Sequence, residues 1–267
     1  MLRFPILFVH GMGFRDRKLI NYWGRIPKIF TDDGNMVFYG GQDSNGSIED
    51  NSYTLKERIE EIISETGTEK LNVIAHSKGG LDMRYAICQL GMAKYVASLT
   101  TINTPHNGSK TIDKILALPQ LPVMLGCRCT DLWMRLLGDK KPHTYKTIQS
   151  FSTGSAQRFE KENPDENDIY YQSYACVMNS SRSDIFMLIP HIVVYNIEGE
   201  NDGFLTPESV MHGDFKGIVR SNSRRGISHC DEVDMRRRRF TKKSGEGVSD
   251  ILDMYREILQ TLKDKGL

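Results

Sequence analysis

Hydrophobic positions follow two alternating rhythms along this chain. Ile6-Leu7-Phe8-Val9, Val73-Ile74-Ala75, Leu99-Thr100-Thr101-Ile102 and Ile192-Val193-Val194-Tyr195 are short runs without polar alternation. Such runs predict parallel strands covered on both faces. Met36-Val37-Phe38-Tyr39, closed by Gly40-Gly41, is a further strand candidate. Between these runs the period changes. Leu55, Ile59, Ile62 and Ile63 fall at i, i+4, i+7 and i+8, with Lys56, Glu57, Arg58, Glu60 and Glu61 on the opposite face, so the spacing predicts an amphipathic helix. Leu81, Tyr85, Ala86 and Cys88 predict another, and Val248, Ile251, Leu252, Tyr255, Ile258, Leu259 and Leu262 predict a terminal one. Strands alternating with helices imply βαβ units, hence an α/β fold with a mostly parallel central sheet flanked by helices.

Residues 107–163 break this alternation. No strand pattern occurs there, yet the stretch carries Ile112, Ile115, Leu116, Leu118, Leu121, Val123, Met124, Leu125, Leu132, Trp133, Met134, Leu136 and Leu137. So many apolar residues within an insertion predict a helical lid or cap with an apolar inner face. A pair of ordinary core helices fits the same pattern. No internal repeat and no low-complexity segment is present.

Bulk properties narrow the picture only modestly. A chain of 267 residues suits one α/β domain spanning 1–267. Lys+Arg of 35 against Asp+Glu of 34 gives a net charge of +1, which offers no attraction to nucleic acid. No apolar run approaches the roughly 20 residues needed to span a bilayer. Met1-Leu2-Arg3-Phe4 runs directly into a strand with no leader pattern ahead of it, so the expected compartment is cytoplasmic if Met1 is the native start and secreted if a leader has been removed. The five cysteines (Cys88, Cys127, Cys129, Cys176, Cys230) are odd in number and match no metal or redox spacing, which predicts free thiols.

Candidate chemistry begins at Ala75-His76-Ser77-Lys78-Gly79-Gly80, between a buried strand and a helix. A strand–turn–helix junction with small residues two before and two after a serine is the setting of a nucleophile elbow. Ser77 is therefore the candidate nucleophile, although Ala75 stands where glycine is usual. His10-Gly11-Met12-Gly13 follows the first strand, and its glycines allow close approach of backbone to substrate. The backbone N–H groups of Met12 and Lys78 are the candidate oxyanion donors. A serine hydroxyl needs a base, and the base needs an orienting acid. Asp202, in Glu200-Asn201-Asp202-Gly203, lies just past the expected strand 192–197, at the sheet edge where such folds carry their sites. His212 and His229 compete as base. His229 is preferred because it precedes the terminal helix in a long loop, whereas His212 lies only ten residues after Asp202.

Taken together these segments resemble the bacterial triacylglycerol lipases of the Pseudomonas type, within the α/β-hydrolase fold. The resemblance rests on Val9-His10-Gly11-Met12-Gly13, His76-Ser77-Lys78-Gly79-Gly80 with Arg84-Tyr85, Thr104-Pro105-His106-Asn107-Gly108-Ser109, Asn201-Asp202-Gly203, His229-Cys230-Asp231-Glu232-Val233 and the terminal Leu262–Leu267. It implies a carboxylic ester hydrolase with Ser77, Asp202 and His229 as its triad, acting on lipid or ester substrate, at a lipid–water interface if it is a lipase. It implies no cofactor for the chemistry. A carboxylesterase for soluble short-chain esters or polyesters, and an acyltransferase, remain alternatives. The resemblance also implies a structural calcium ion held by Asp231 and, as second carboxylate, Asp184. The run Arg236-Arg237-Arg238-Arg239 opposes a cation there.

Overall fold

A computed structural model describes residues 1–16, 21–243 and 245–267. Six strands form one sheet: β1 (Ile6–Val9), β2 (Val37–Tyr39), β3 (Leu71–His76), β4 (Val96–Ile102), β5 (Tyr170–Cys176) and β6 (Asp214–Val219). Their order is β2-β1-β3-β4-β5-β6, and every pairing is parallel. Helices fill the intervals: α1 (Ile26–Asp32), α2 (Ile48–Thr66), α3 (Lys78–Gln89), α4 (Lys110–Leu116), α5 (Gln120–Leu136), α6 (Thr144–Ser150), α7 (Thr153–Glu162), α8 (Leu188–Glu198), α9 (Pro207–Val210) and α10 (Ile251–Asp264).

The strand runs lack alternation because both sheet faces are covered. Ile6, Phe8, Ile74, Ile102 and Tyr174 point into one core with α1 and α10, while Leu7, Val9, Val73, Ala75 and Leu99 point into another with α2 and α3. The terminal stripe seals the first core. Ile251, Met254, Tyr255, Ile258, Leu259 and Leu262 are all buried, and Asp250 opens the helix with a reciprocal capping box to Asp253. Arg25 ties this helix to the opposite end of the chain, bonding both Asp234 (2.7 Å) and Asp250 (2.9 Å).

One expected strand is a helix. Ile192–Tyr195 lies within α8, whose Pro190 sits in the first turn, where no intrahelical donor is lost. An apolar run of this length does not by itself distinguish strand from helix. The fifth and sixth strands come instead from Tyr-Tyr-Gln-Ser-Tyr-Ala-Cys and Asp-Phe-Lys-Gly-Ile-Val. The first replaces aliphatic residues with tyrosines and a glutamine that hydrogen-bonds Thr100 Oγ1 at 2.8 Å. The second is a half-exposed edge strand, so neither shows the expected pattern.

The β3–α3 junction holds Ser77 at φ 53° and ψ −131°, a conformation that side chains rarely adopt. Its N–H donates to Ile102 O (2.9 Å), and its carbonyl accepts from Thr104 Oγ1 (2.7 Å). Close packing requires the neighbouring glycines. A Cβ on Gly79 would lie 2.5 Å from His10 O, and one on Gly11 would lie 2.8 Å from Ser77 Cβ. The loop after β1 is thus pressed against the elbow. If the serine is held in strain by these contacts, Ser77→Gly should raise the unfolding free energy by about 1 kcal/mol in a urea titration. A less stable glycine variant would show that the strain is absent.

Candidate active site

Just beyond the carboxyl end of β5, three backbone hydrogen bonds join segments far apart in sequence. Met178 N–H donates to Asn201 O, Ile227 N–H to Val177 O and His229 N–H to Asp202 O, each at 2.8 Å. The Asp202 and His229 loops therefore run alongside one strand extension. Asp202 does lie past a strand's carboxyl end, as expected, but the strand is β5. His229 Nδ1 meets Asp202 Oδ2 at 2.5 Å.

Asp202 is fully buried, and its oxygens are saturated. Oδ1 accepts from Phe204 N–H and Leu205 N–H (2.8 Å each), and Oδ2 accepts from Asn103 Nδ2 (2.5 Å) as well as from His229. Burial alone would raise this carboxyl, but its pairing with His229 and those two backbone donors hold it down at about 2. Asn103 is oriented by β5, since its Oδ1 accepts from Cys176 N–H at 2.7 Å. The His229 ring lies 4.4 Å from the ring of His76, the residue before Ser77, with Phe204 edge-on at 5.3 Å. His229 is thus brought beside the β3–α3 turn. No hydrogen bond between Ser77 and His229 is formed among the described residues; such contacts are often long without substrate and tighten when it binds.

The competing histidine is placed elsewhere. His212 pairs with Asp165 (2.9 Å) and stacks on His106 at 4.3 Å. His106 is buried against Thr101, His143 immediately precedes α6 and His191 lies within α8. Lys78 turns its side chain away from any ligand, with Nζ 2.7 Å from both oxygens of Asp82, so only its backbone N–H is left at the elbow. No hydrogen bond among the described residues uses the Met12 or Lys78 backbone N–H.

A buried polar chain connects the two sides of the site. Gly11 N–H donates to Tyr22 Oη (3.1 Å), Tyr22 Oη pairs with His76 Nδ1 (2.7 Å), and His76 Nε2 pairs with Glu232 Oε2 (2.8 Å). Tyr22 Oη accepts from Gly11 and has its own proton to give; where that proton goes to His76 Nδ1, His76 Nε2–H is the donor to Glu232. Burial keeps His76 well below its ordinary value, hence neutral. Ligand atoms of His76, His229 and Glu232 lie within 4.8 Å of one another, but they are engaged in hydrogen bonds, His76 Nε2 with Glu232 Oε2 (2.8 Å) and His229 Nδ1 with Asp202 Oδ2 (2.5 Å). Burial, with the Asp202 carboxylate beside it, pushes Glu232 well above the ordinary carboxyl range.

The two expected calcium ligands are adjacent, yet their oxygens are already taken. Ser228 Oγ donates to Asp184 Oδ2 (2.7 Å) and Asp231 Oδ2 (3.0 Å). Arg236 lies 3.1 Å from each carboxylate, and Arg225 contacts Asp231 at 2.9 Å. Asp184 Oδ1 accepts from Phe186 N–H at 3.0 Å. A calcium ion needs six to eight free oxygens. These residues do not fit one while Arg236 is in place.

Two helices expose rows of apolar side chains. On α5 only Cys127 is buried, whereas Leu121, Leu125, Leu132, Trp133 and Leu136 are exposed. Ile185, Phe186, Ile189, Ile192, Val193 and Tyr195, in and just before α8, are exposed too. The turn after α5 is anchored to the loop after β2, where Asp139 accepts from Ser44 N–H (3.0 Å) and Asn45 N–H (2.8 Å), and to the loop after β1, where it pairs with Arg15 (3.4 Å). Glu198 of α8 accepts from Ser109 Oγ and Thr111 N–H at the start of α4, both at 2.7 Å. Among the described residues no helix is long and apolar enough to cross a membrane.

Sequence reasoning missed Asn103, Tyr22 and the role of His76. Their roles arise only once β4, β5 and the loops meet, and no local spacing signals them. Glu232 generates a test. A carboxyl raised by folding stabilises the protein below its ordinary value of 4.5, and that contribution is lost as pH rises towards the folded value. Relative to Glu232→Gln, the native protein should therefore lose stability progressively as pH rises above the ordinary carboxyl value of 4.5. Parallel stability–pH curves for the two proteins would mean that Glu232 is ionised throughout.

Comparison with known proteins agrees with this architecture. The family model described as palmitoyl protein thioesterase matches residues 5–184. Triacylglycerol lipase 2 of Saccharomyces cerevisiae is 29% identical over 263 residues, covering 92% of this chain and 74% of the yeast protein. A triacylglycerol lipase of Pseudomonas fragi is 23% identical, covering 99% of this chain and 98% of that one. The likeness to lipases thus extends beyond the Pseudomonas type. In fold, the chain is similar to the crystal structure of Staphylococcus hyicus lipase, with a TM-score of 0.70 at 14% identity, over 98% of this chain and 97% of that one. The sheet, its flanking helices and the matched residues place this chain in the palmitoyl protein thioesterase family, with an α/β-hydrolase fold.

Proposed function

We propose that this protein is a serine-dependent carboxylic ester hydrolase, a lipase acting on long-chain acyl esters through an acyl-enzyme. The observation that carries this reading is the saturated Asp202 carboxylate holding His229 against the elbow. With Nδ1 bonded to Asp202, the His229 Nε2 lone pair is the free one. It takes the Ser77 proton as Oγ attacks the ester carbonyl. Asp202 fixes the tautomer and stabilises the imidazolium. The Met12 and Lys78 N–H groups receive the oxyanion, each contributing on the order of 3 kcal/mol. His229 then protonates the departing alcohol, and water repeats the sequence on the acyl-enzyme. The chain's own residues perform every step, so no cofactor enters.

The exposed apolar rows on α5 and α8 support a lipid substrate rather than a small soluble ester. In this reading residues 107–163 act as a lid whose apolar face meets an interface, and α8 forms the opposite lip. Family membership adds a second leaving group, a thiol, since the same acyl-enzyme forms from a thioester.

Ser77→Ala should lower kcat by at least about 10³-fold without unfolding the protein, and should abolish fluorophosphonate labelling. Wild-type turnover should rise with acyl length and jump where the ester aggregates. Saturation on short monomeric esters with no such jump would favour an esterase. Faster hydrolysis of palmitoyl thioesters than of matched oxygen esters would favour the thiol leaving group. Near-native turnover by Ser77→Ala would refute the scheme.

A further inference from the structure

The base loop carries its own cation. The segment from Ser228 to Arg237 has no strand or helix and places two non-glycine residues, Asp234 (φ 56°) and Arg237 (φ 54°), in left-handed backbone conformations. Such a loop needs ties to hold His229 in one position. Its main tie on the α8 side is Arg236. That guanidinium reaches Asp231 Oδ1 through Nε (3.1 Å), Asp184 Oδ2 through Nη2 (3.1 Å) and Ser183 O through Nη2 (2.8 Å). Both aspartates are buried, at 3% and 2% exposure. Two carboxylates sharing one serine hydroxyl repel each other unless a positive charge sits between them.

We propose that Arg236 is a positioning residue, a covalently attached cation that does here what a bound metal ion would do: it fixes the His229 loop to the Ser181–Asp184 turn. The oxygen set it gathers, two carboxylates and a backbone carbonyl, is the set a hard cation would take. A planar guanidinium satisfies it with directed donors that a spherical ion lacks. The loop is therefore braced without any exchangeable ion, and hydrolysis is independent of calcium. Because Asp231 is two residues from His229, loosening the clamp displaces the imidazole.

The activity arm of the test rests on the proposed hydrolase reading, whereas the unfolding arm does not. Wild-type kcat and the midpoint of thermal unfolding should be unchanged by chelator or by millimolar calcium. Arg236→Ala should lower the midpoint and reduce kcat on a soluble short-chain ester by on the order of 10- to 100-fold, with little change in KM. Millimolar methylguanidinium or calcium should restore both in part in this variant alone, and Arg236→Lys should lie between alanine and wild type. If Arg236→Ala does not fold, the wild-type chelator and calcium arms and Arg236→Lys still decide. Wild-type activity lost to chelator and restored by calcium would overturn the proposal. So would native kcat and midpoint in Arg236→Ala, or a defect that neither the added cations nor lysine relieves. If no ester is hydrolysed at all, the hydrolase reading fails and the midpoints still report on the clamp.

Discussion

A carboxylate taken fully out of water must be given donors, and meeting that requirement at Asp202 organises the site. Four groups converge on its two oxygens: the Phe204 and Leu205 N–H groups, the Asn103 amide and the His229 imidazole. They come from the acid's own turn, the end of β4 and the base loop. An unpaired buried carboxylate would cost several kcal/mol, so these segments cannot separate without exposing it. The position of the imidazole is thus tied to the solvation of the acid, and the two are one constraint.

The rest of the architecture supplies the frame for that constraint. A parallel sheet buried on both faces brings the carboxyl ends of β1, β3, β4 and β5 to one edge. The loop after β1, the elbow after β3, Asn103 after β4 and the acid and base loops beside β5 all meet there. The buried chain from Gly11 through Tyr22 and His76 to Glu232 connects the two flanks of this edge. Every polar link in it lies in a low-dielectric interior, where hydrogen bonds hold geometry more firmly than in water. At the periphery, Arg236 adds the tie that sets the base loop against the turn before α8.

Much of this was legible in the sequence, and the pattern of success has a physical cause. The apolar runs at 6–9, 73–75 and 99–102 predicted β1, β3 and β4 because burial on both faces leaves an unmistakable run. The stripe from Val248 to Leu262 predicted α10 for the same reason. The strained turn at Ser77 was readable because it demands small flanking residues. Strands β5 and β6 were not readable, since tyrosines and a glutamine fill one and the other is a half-exposed edge. The aliphatic run at 192–195 misled because α8 exposes apolar residues that a soluble core would bury. Asp184 and Asp231, expected as calcium ligands, lie together, and Arg236 of the arginine run contacts both. Asn103 and Tyr22 act only through contacts made across the fold, so no periodicity marks them.

The central claim concerns atoms that face one another only when the enzyme is engaged. A crystal structure of the native protein after reaction with a long-chain alkyl phosphonate tests it directly. The account predicts phosphorus bonded to Ser77 Oγ, His229 Nε2 within about 3 Å of that oxygen, and the phosphonyl oxygen within about 3 Å of the Met12 and Lys78 N–H groups. An adduct on another residue, or a phosphonyl oxygen turned away from both amides, would contradict it.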